Sequence, residues 1–287
     1  MRRPAWPAAF VVVLFLCACY TTHHYSELEE GLDAGSTTAF AASLQVVACD
    51  LAVHRAAPGR LYDLDLTYCR THFAPRVIKA MEGSTAVLRI GLRRRERGEA
   101  APAGDERNAL DVGLAPDHPL DLSLDLGAGR HTADLGGLML SRLALATGAG
   151  TARVAFDDPL AGDLAAFTVS GGPGRLTIAR LGNASPATFA LLAGDGDFEI
   201  DLRGAWHGEA GIQVSVSLGD VTLLVPRTLG VQMSVRDGGP AELVLPEFTR
   251  DEQGTYRSPS YPDARHHVAI EIGPGLGRVE ARWVEET

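Results

Sequence analysis

Five stretches of the chain repeat one design. "LSLDLGAGRHTADL" (122–135), "LALATGAGTARVAF" (143–156), "FTVSGGPGRLTIARL" (167–181), "FALLAGDGDFEIDL" (189–202) and "IQVSVSLGDVTLLV" (212–225) each run an alternating strand into a corner and an alternating strand out of it. The corner glycines Gly127, Gly148, Gly172 and Gly194 fall 21, 24 and 22 residues apart, and Gly129, Gly150, Gly174 and Gly196 follow each of them at the second position. Alternation marks half-buried strands with the apolar side inward. Leu122, Leu124 and Leu126 form one such side, and Phe198, Ile200 and Leu202 another. A constant period with the same face buried each time is the mark of a stacked-coil fold. The expectation is therefore an all-β parallel β-solenoid of about 20–24-residue coils. A further copy, "VAIEIGPGLGRVEARWV" (268–284), is expected to close the chain. An antiparallel sandwich or barrel also has many short strands, but it does not require corners at near-constant spacing.

The acidic corner Gly194-Asp195-Gly196-Asp197 has three readings: a calcium loop, a carboxylate pair for catalysis, or a structural corner. It occupies the position of Gly127-Ala128-Gly129 and Gly148-Ala149-Gly150, which carry no carboxylate, whereas calcium-binding solenoids repeat their aspartates from coil to coil. The structural reading is preferred, with glycine supplying backbone angles that a Cβ resists.

The N-terminus supplies an address. Arg2 and Arg3 precede the short apolar run "AAFVVVLFL" (8–16), which is too short to span a bilayer as a helix. "LCACY" (16–20) then resembles the lipobox of bacterial lipoproteins, which makes Cys19 the expected lipidation site; the alternative is a plain secretory signal. Residues 1–18 are thus expected as a lipoprotein signal peptide, 19–37 as a flexible tether and 38–287 as the solenoid, interrupted by a charged loop at 93–112. Tyr20 after the lipidated Cys favours the outer membrane under the sorting rule of enteric bacteria. The net charge of −10 argues against a nucleic-acid partner, because phosphate backbones are held by basic surface.

The glycine corners, the segment "LGNASPATFALLAGDGDFEIDL" (181–202) and the ending "YRSPSYPDARHHVAIEIGPGLGRVEARW" (256–283) resemble the toast-rack domain, a bacterial envelope domain of β-solenoid type. "ASLQVVACDLAV" (42–53) and the stretch 60–92 look like that family's N-terminal coils, with Ala48-Cys49-Asp50-Leu51 where a glycine corner is usual. Toast-rack domains occur in cell-wall stress regulators of the LiaF type and in proteins described as adhesins. The resemblance therefore implies an envelope module for sensing, adhesion or scaffolding. It implies no catalytic residue and no kinase partnership, since the regulators' transmembrane helices have no counterpart after the signal.

Chemistry beyond the resemblance is sparse. Adjacent His266 and His267 would point to opposite faces of a strand and so would not share a metal. Tethered His23 and His24 read as incidental. Asp157-Asp158 before Pro159 reads as a turn. Asp197, Glu199 and Asp201 would lie outward on one strand, but the preceding coil offers Arg175 and Thr177, not aligned acids. No catalytic residue, cofactor or metal is assigned. The expected function is a membrane-anchored envelope lipoprotein with a protein or glycan partner, and the alternative is a carbohydrate-active enzyme on a solenoid scaffold. Finally, "LQVVAC" (44–49) and "LDLTYC" (64–69) end matching strands twenty residues apart, close to one coil. In an oxidising compartment that register predicts a Cys49–Cys69 disulfide between stacked strands, the alternative being two buried free thiols.

Overall fold

The computed structural model describes residues 24–35, 37–95, 107–236 and 238–286. Cys19 and the signal segment lie outside the described residues. The N-terminal part contributes β1 (Tyr25–Asp33), β2 (Ala39–Ala48), β3 (Asp50–Arg55), β4 (Arg60–Cys69), β5 (Phe73–Glu82), β6 (Thr85–Arg94) and β7 (Ala109–Leu114). The middle contributes the pairs β8 (Leu120–Ala128) and β9 (Arg130–Asp134), β10 (Leu140–Thr147) and β11 (Thr151–Ala155), and β12 (Ala166–Gly171) and β13 (Arg175–Ala179). After the one-turn helix α1 (Leu181–Ala184) follow β14 (Thr188–Ala193) with β15 (Asp197–Asp201) and β16 (Ala210–Val216) with β17 (Val221–Pro226). The C-terminal part holds β18 (Gly230–Val235), β19 (Glu242–Val244), β20 (Thr249–Arg250), β21 (Tyr256–Arg257), β22 (His267–Ile272) and β23 (Arg278–Val284).

The fold is an all-β parallel solenoid flattened into two facing sheets. One has eleven strands in the order β1-β4-β7-β3-β9-β11-β13-β15-β17-β23-β19; the other has twelve, in the order β20-β21-β18-β22-β16-β14-β12-β10-β8-β2-β6-β5. Each middle coil lays one strand in the second sheet, turns a corner and lays the next in the first, in parallel register with its neighbours. The alternating apolar residues meet between the sheets: Leu124, Phe198 and Ile200 are all fully buried. Phe156, Phe167 and Phe189 continue the stack as edge-to-face rings 6.2 and 5.0 Å apart.

The corners explain the glycines mainly by space. A Cβ on Gly150 would strike the Gly129 carbonyl oxygen; one on Gly174 would lie 2.6 Å from that of Gly150, and one on Gly196 2.7 Å from that of Gly174. A glycine column thus lets the backbone of each coil sit directly on that of the next. Of the eight corner glycines singled out in the sequence, only Gly129 and Gly196 have left-handed φ, at 149° and 118°. Backbone conformation is therefore the lesser reason. Gly194 needs neither, since the nearest atom to its added Cβ is 3.9 Å away.

The structure departs from the sequence reading at both ends. Tyr25–Asp33, expected within the flexible tether, is strand β1, which pairs antiparallel with β4 through Leu28↔Leu66 and Leu32↔Tyr62. Its alternation was legible but masked by acids. The expected loop 93–112 is narrower, because β6 runs to Arg94 and β7 begins at Ala109; residues 96–106 lie outside the described residues. The last coil, β22–β23, closes the chain as expected but is not at the end of the stack: it lies between β16–β17 and β18–β19, and β2–β3 likewise lies between β6–β7 and β8–β9.

The Cys49–Cys69 disulfide is a further correction: both residues are buried thiols and no bond joins them. The matching-strand premise fails. β2, before Cys49, belongs to the second sheet, whereas β4, which ends in Cys69, belongs to the first and runs antiparallel to β7. Asn108 occupies the junction, accepting from the Cys69 N–H at 2.8 Å and donating to the Ala48 carbonyl at 2.7 Å. Cys49 Sγ turns to the Asp50 carbonyl at 3.2 Å, and Cys69 Sγ lies 3.7 Å from His72 Nδ1. Burial, reinforced by Asp50, pushes the Cys49 thiol up to about 12, so it is a packing group and not a nucleophile at neutral pH.

Candidate binding groove on the second sheet

Alternation along β16, β22 and β18 sends Gly211, Ala269 and Gln232 outward in one register row and Gln213, Glu271 and Ser234 in the next. Two of the first three have little or no side chain, so the sheet surface there is low. A wall stands beside it, made by the excursion 246–266, which returns to the sheet through β21 antiparallel to β18. The excursion is pinned from within. Ser258 Oγ accepts from the Val231 N–H at 2.9 Å, and Ser260 Oγ donates to the Leu229 carbonyl at 2.7 Å.

Tyr261 is the working residue of the wall. Its hydroxyl donates to Gln232 Oε1 at 3.0 Å, and its ring meets His267 edge-on with centroids 4.8 Å apart. The Arg257 guanidinium covers the ring at 5.5 Å. His267 Nε2 lies 2.9 Å from the Tyr261 carbonyl oxygen, which can only accept, so Nε2 carries the proton and a neutral ring leaves Nδ1 as an acceptor. Glu209, Gly211, Gln232, Tyr261 and His267 line a cavity of about 520 Å³. It continues across Gly211, Gln232 and Ala269 into one of about 400 Å³ bordered by Thr188, Gln213 and Ser234. Amides, hydroxyls and a fixed aromatic ring over a bare floor suit a neutral polar chain that lies flat and exchanges hydrogen bonds. Glu271 is held at the far side by Arg236 at 2.5 Å.

At the other end of the same outer face, Ser43, Ser123 and Ala144 stand in one register row beside a depression of about 450 Å³. Exposed ion pairs flank it, Arg89–Glu82 at 3.7 Å and Arg142–Asp121 at 3.6 Å. It carries no aromatic wall.

The residues weighed in the sequence are dispersed. Asp195 accepts from the Gly196 N–H at 2.7 Å, and Asp197 pairs at 3.5 Å with Arg175, its register partner. Asp201, expected to face outward, is buried and clamped by Arg203, whose Nη2 lies 2.8 Å from Oδ2; that hydrogen bonding raises the Arg203 pKa. Asp158 pairs with Arg55 at 3.0 Å. His267 alone among them belongs to the groove. Gly211, Gln232 and Tyr261 were missed. The available signal was negative: the regular corner spacing breaks after Val235, in the part of the chain whose residues 246–266 build the wall.

Residues 21–179 match a sequence family described as the N-terminal domain of toast_rack. The chain belongs to the toast-rack family. Among curated proteins none matches its sequence. The solved structures it is similar to include a proposed cell adhesion protein from Clostridium sporogenes, at 12% identity and a TM-score of 0.49, covering 91% of this chain and 100% of that one. A proposed adhesin from Bacteroides fragilis is similar at 10% identity and a TM-score of 0.41, covering 91% and 98%. A proposed lipid-binding protein from Parabacteroides distasonis is similar at 7% and 0.30, covering 89% and 96%. The groove of this toast-rack chain lies beyond the matched residues, on coils 188–272.

Proposed function

We propose that this toast-rack protein is a non-catalytic binding module of the bacterial envelope, tethered through a lipid on Cys19, whose ligand is a glycan strand held in the groove beside Tyr261. The observation that carries the reading is the groove itself: a bare floor at Gly211 and Ala269, amide and hydroxyl groups in register, and an aromatic wall fixed by Gln232 and His267. Extended concave surfaces of this kind are how solenoids bind long partners. The lipobox-like "LCACY" supports the tether, and Tyr20 supports the outer membrane as its location.

A glycan array probed with the purified protein, run beside hydrolase and lyase assays on every glycan retained, tests the binding reading. Tyr261→Ala should reduce retention at least about tenfold, as loss of a stacking anchor does. Retention unaffected by that variant would remove the groove from the proposal, and turnover of a retained glycan would replace it with the enzyme reading. Cys19→Ala should release the protein from membranes and abolish labelling by a palmitate analogue; persistent labelling would sink the tether.

A further inference from the structure

The end of the stack remote from the groove is closed unevenly. β1 and β5 are the outer strands of the two sheets there. Strand pairing sets their inward residues: Glu30 and Leu32 share a face with buried Leu64 and Tyr62, and Lys79 and Met81 share one with buried Leu88 and Ala86. Glu30 and Lys79, the chain's only lysine, meet across the opening at 2.6 Å. Beside that bridge, Leu32, Phe40, Leu61, Tyr62 and Met81 line a pocket of about 240 Å³ that leads into the core. Leu32 and Met81 remain 43% and 59% exposed although they face inward.

Two polar atoms beside this mouth are buried and incompletely hydrogen-bonded among the described residues: the hydroxyl of Tyr62, a residue only 1% exposed with the Lys79 ammonium next to it, and Oε2 of Glu30. Burial raises the Tyr62 pKa, opposed by the charge and hydrogen bonding of the Lys79 ammonium; because an ammonium only donates, it engages the phenol oxygen and leaves the phenol proton in want of an acceptor, while the carboxylate oxygen is an acceptor in want of a donor. A buried polar group left in this condition is costly unless something answers it.

We propose that the mouth is a binding site for a neutral, hydroxyl-bearing amphiphile, a single medium-length chain or single ring. Its hydroxyl accepts from Tyr62 and donates to Glu30 Oε2, and its apolar part covers Leu32 and Met81. One hydroxyl is the smallest group that answers both atoms. The head is neutral because Glu30 and Lys79 already balance each other, and Arg60 nearby is balanced by Asp33 at 2.9 Å. A charged head would leave one charge uncompensated in a partly buried site. The pocket is smaller than the ~300–1,000 Å³ of sites for drug-sized ligands, which limits the ligand to one medium-length chain or one ring. A lone water would answer the polar atoms but leave the two apolar side chains exposed.

The test titrates 1-octanol, octanoate and octylammonium into the full chain carrying Cys19→Ala, so that no acyl group of its own competes, and reads calorimetric heat and thermal shift. Octanol should bind saturably and more tightly than either ion. Tyr62→Phe should weaken octanol about two- to tenfold, the worth of one hydrogen bond, without lowering the melting temperature of the unliganded protein. Ala86→Leu, which fills the pocket, should abolish binding. Absence of saturable heat with octanol, or undiminished binding to Tyr62→Phe, would overturn the site. Equal binding of octanoate would overturn its assigned head group.

Discussion

The middle of the molecule and its two ends are built from the same coil but assembled by different rules. From Leu120 to Pro226 every coil lies on the one before it in the chain, whereas at both ends a coil is inserted out of order, β2–β3 between β6–β7 and β8–β9, and β22–β23 between β16–β17 and β18–β19. A parallel strand presents equivalent hydrogen-bonding edges to the neighbours on either side, so the local pattern defines a coil without defining its place. Insertion means that the first and last regular coils are each paired on both sides. What remains exposed is capped by short or antiparallel strands, and the cap carries edge protection: acids on β1, and Pro75 and Lys79 on β5.

The comparison breaks most severely if the inserted C-terminal coil is removed. A chain ending at Arg265 loses β22–β23 and leaves β18 and β19 without their parallel partners. The expected outcome is loss of the cooperative melt and of amide protection over 210–265, with the N-terminal coils still protected. Protection retained across β16–β19 would mean that the end coil is ornamental. The next effect is at the corners: Gly219→Ala combines a φ of 109° with a collision against the Gly196 carbonyl and should cost about 3–5 kcal/mol, whereas Gly194→Ala should stay within about 1 kcal/mol. Denaturant melts of the pair measure the difference, and similar costs would refute the space argument.

A matched pair of buried asparagines sharpens the comparison. Asn183, in the middle, donates to the Phe156 carbonyl at 2.7 Å and accepts from the Ala205 N–H at 2.9 Å; Asn108, at the end, joins Cys69 to Ala48. Replacing either by Ala orphans two buried backbone groups, at about 1–3 kcal/mol each. Asn108→Ala should be the milder and should loosen only the N-terminal cap by hydrogen exchange. The smallest effect is at His54, on the outer face of that cap. Its partial burial lowers the imidazole pKa, but the hydrogen bonds to the Arg55 carbonyl and to Asp111, with the charges of Asp111 and Asp63, outweigh this and leave it raised. The stabilisation is then complete below about pH 6.5, the ordinary value, and lost as pH rises through the raised one. The melting difference between the wild type and His54→Gln should shrink over that interval, and a difference independent of pH would exclude the charge as its cause.

By itself the sequence determined the unit. Alternation assigned the inward faces of Leu122–Leu126 and of Phe198 and Ile200, and the recurring glycines announced coils of about 22 residues, because period and corner are local properties of the chain. The toast-rack resemblance followed from the same residues. Tertiary structure alone decided which coil lies on which. That choice parted Cys49 from Cys69, turned Tyr25–Asp33 from tether into strand, buried Asp201 and brought Gly211, Ala269 and Gln232 together beneath Tyr261. The physical reason is that repeated coils offer one another nearly interchangeable edges. The selection among them rests on contacts between residues far apart in the chain, such as β2 with β8 and β16 with β22, and no local pattern encodes those.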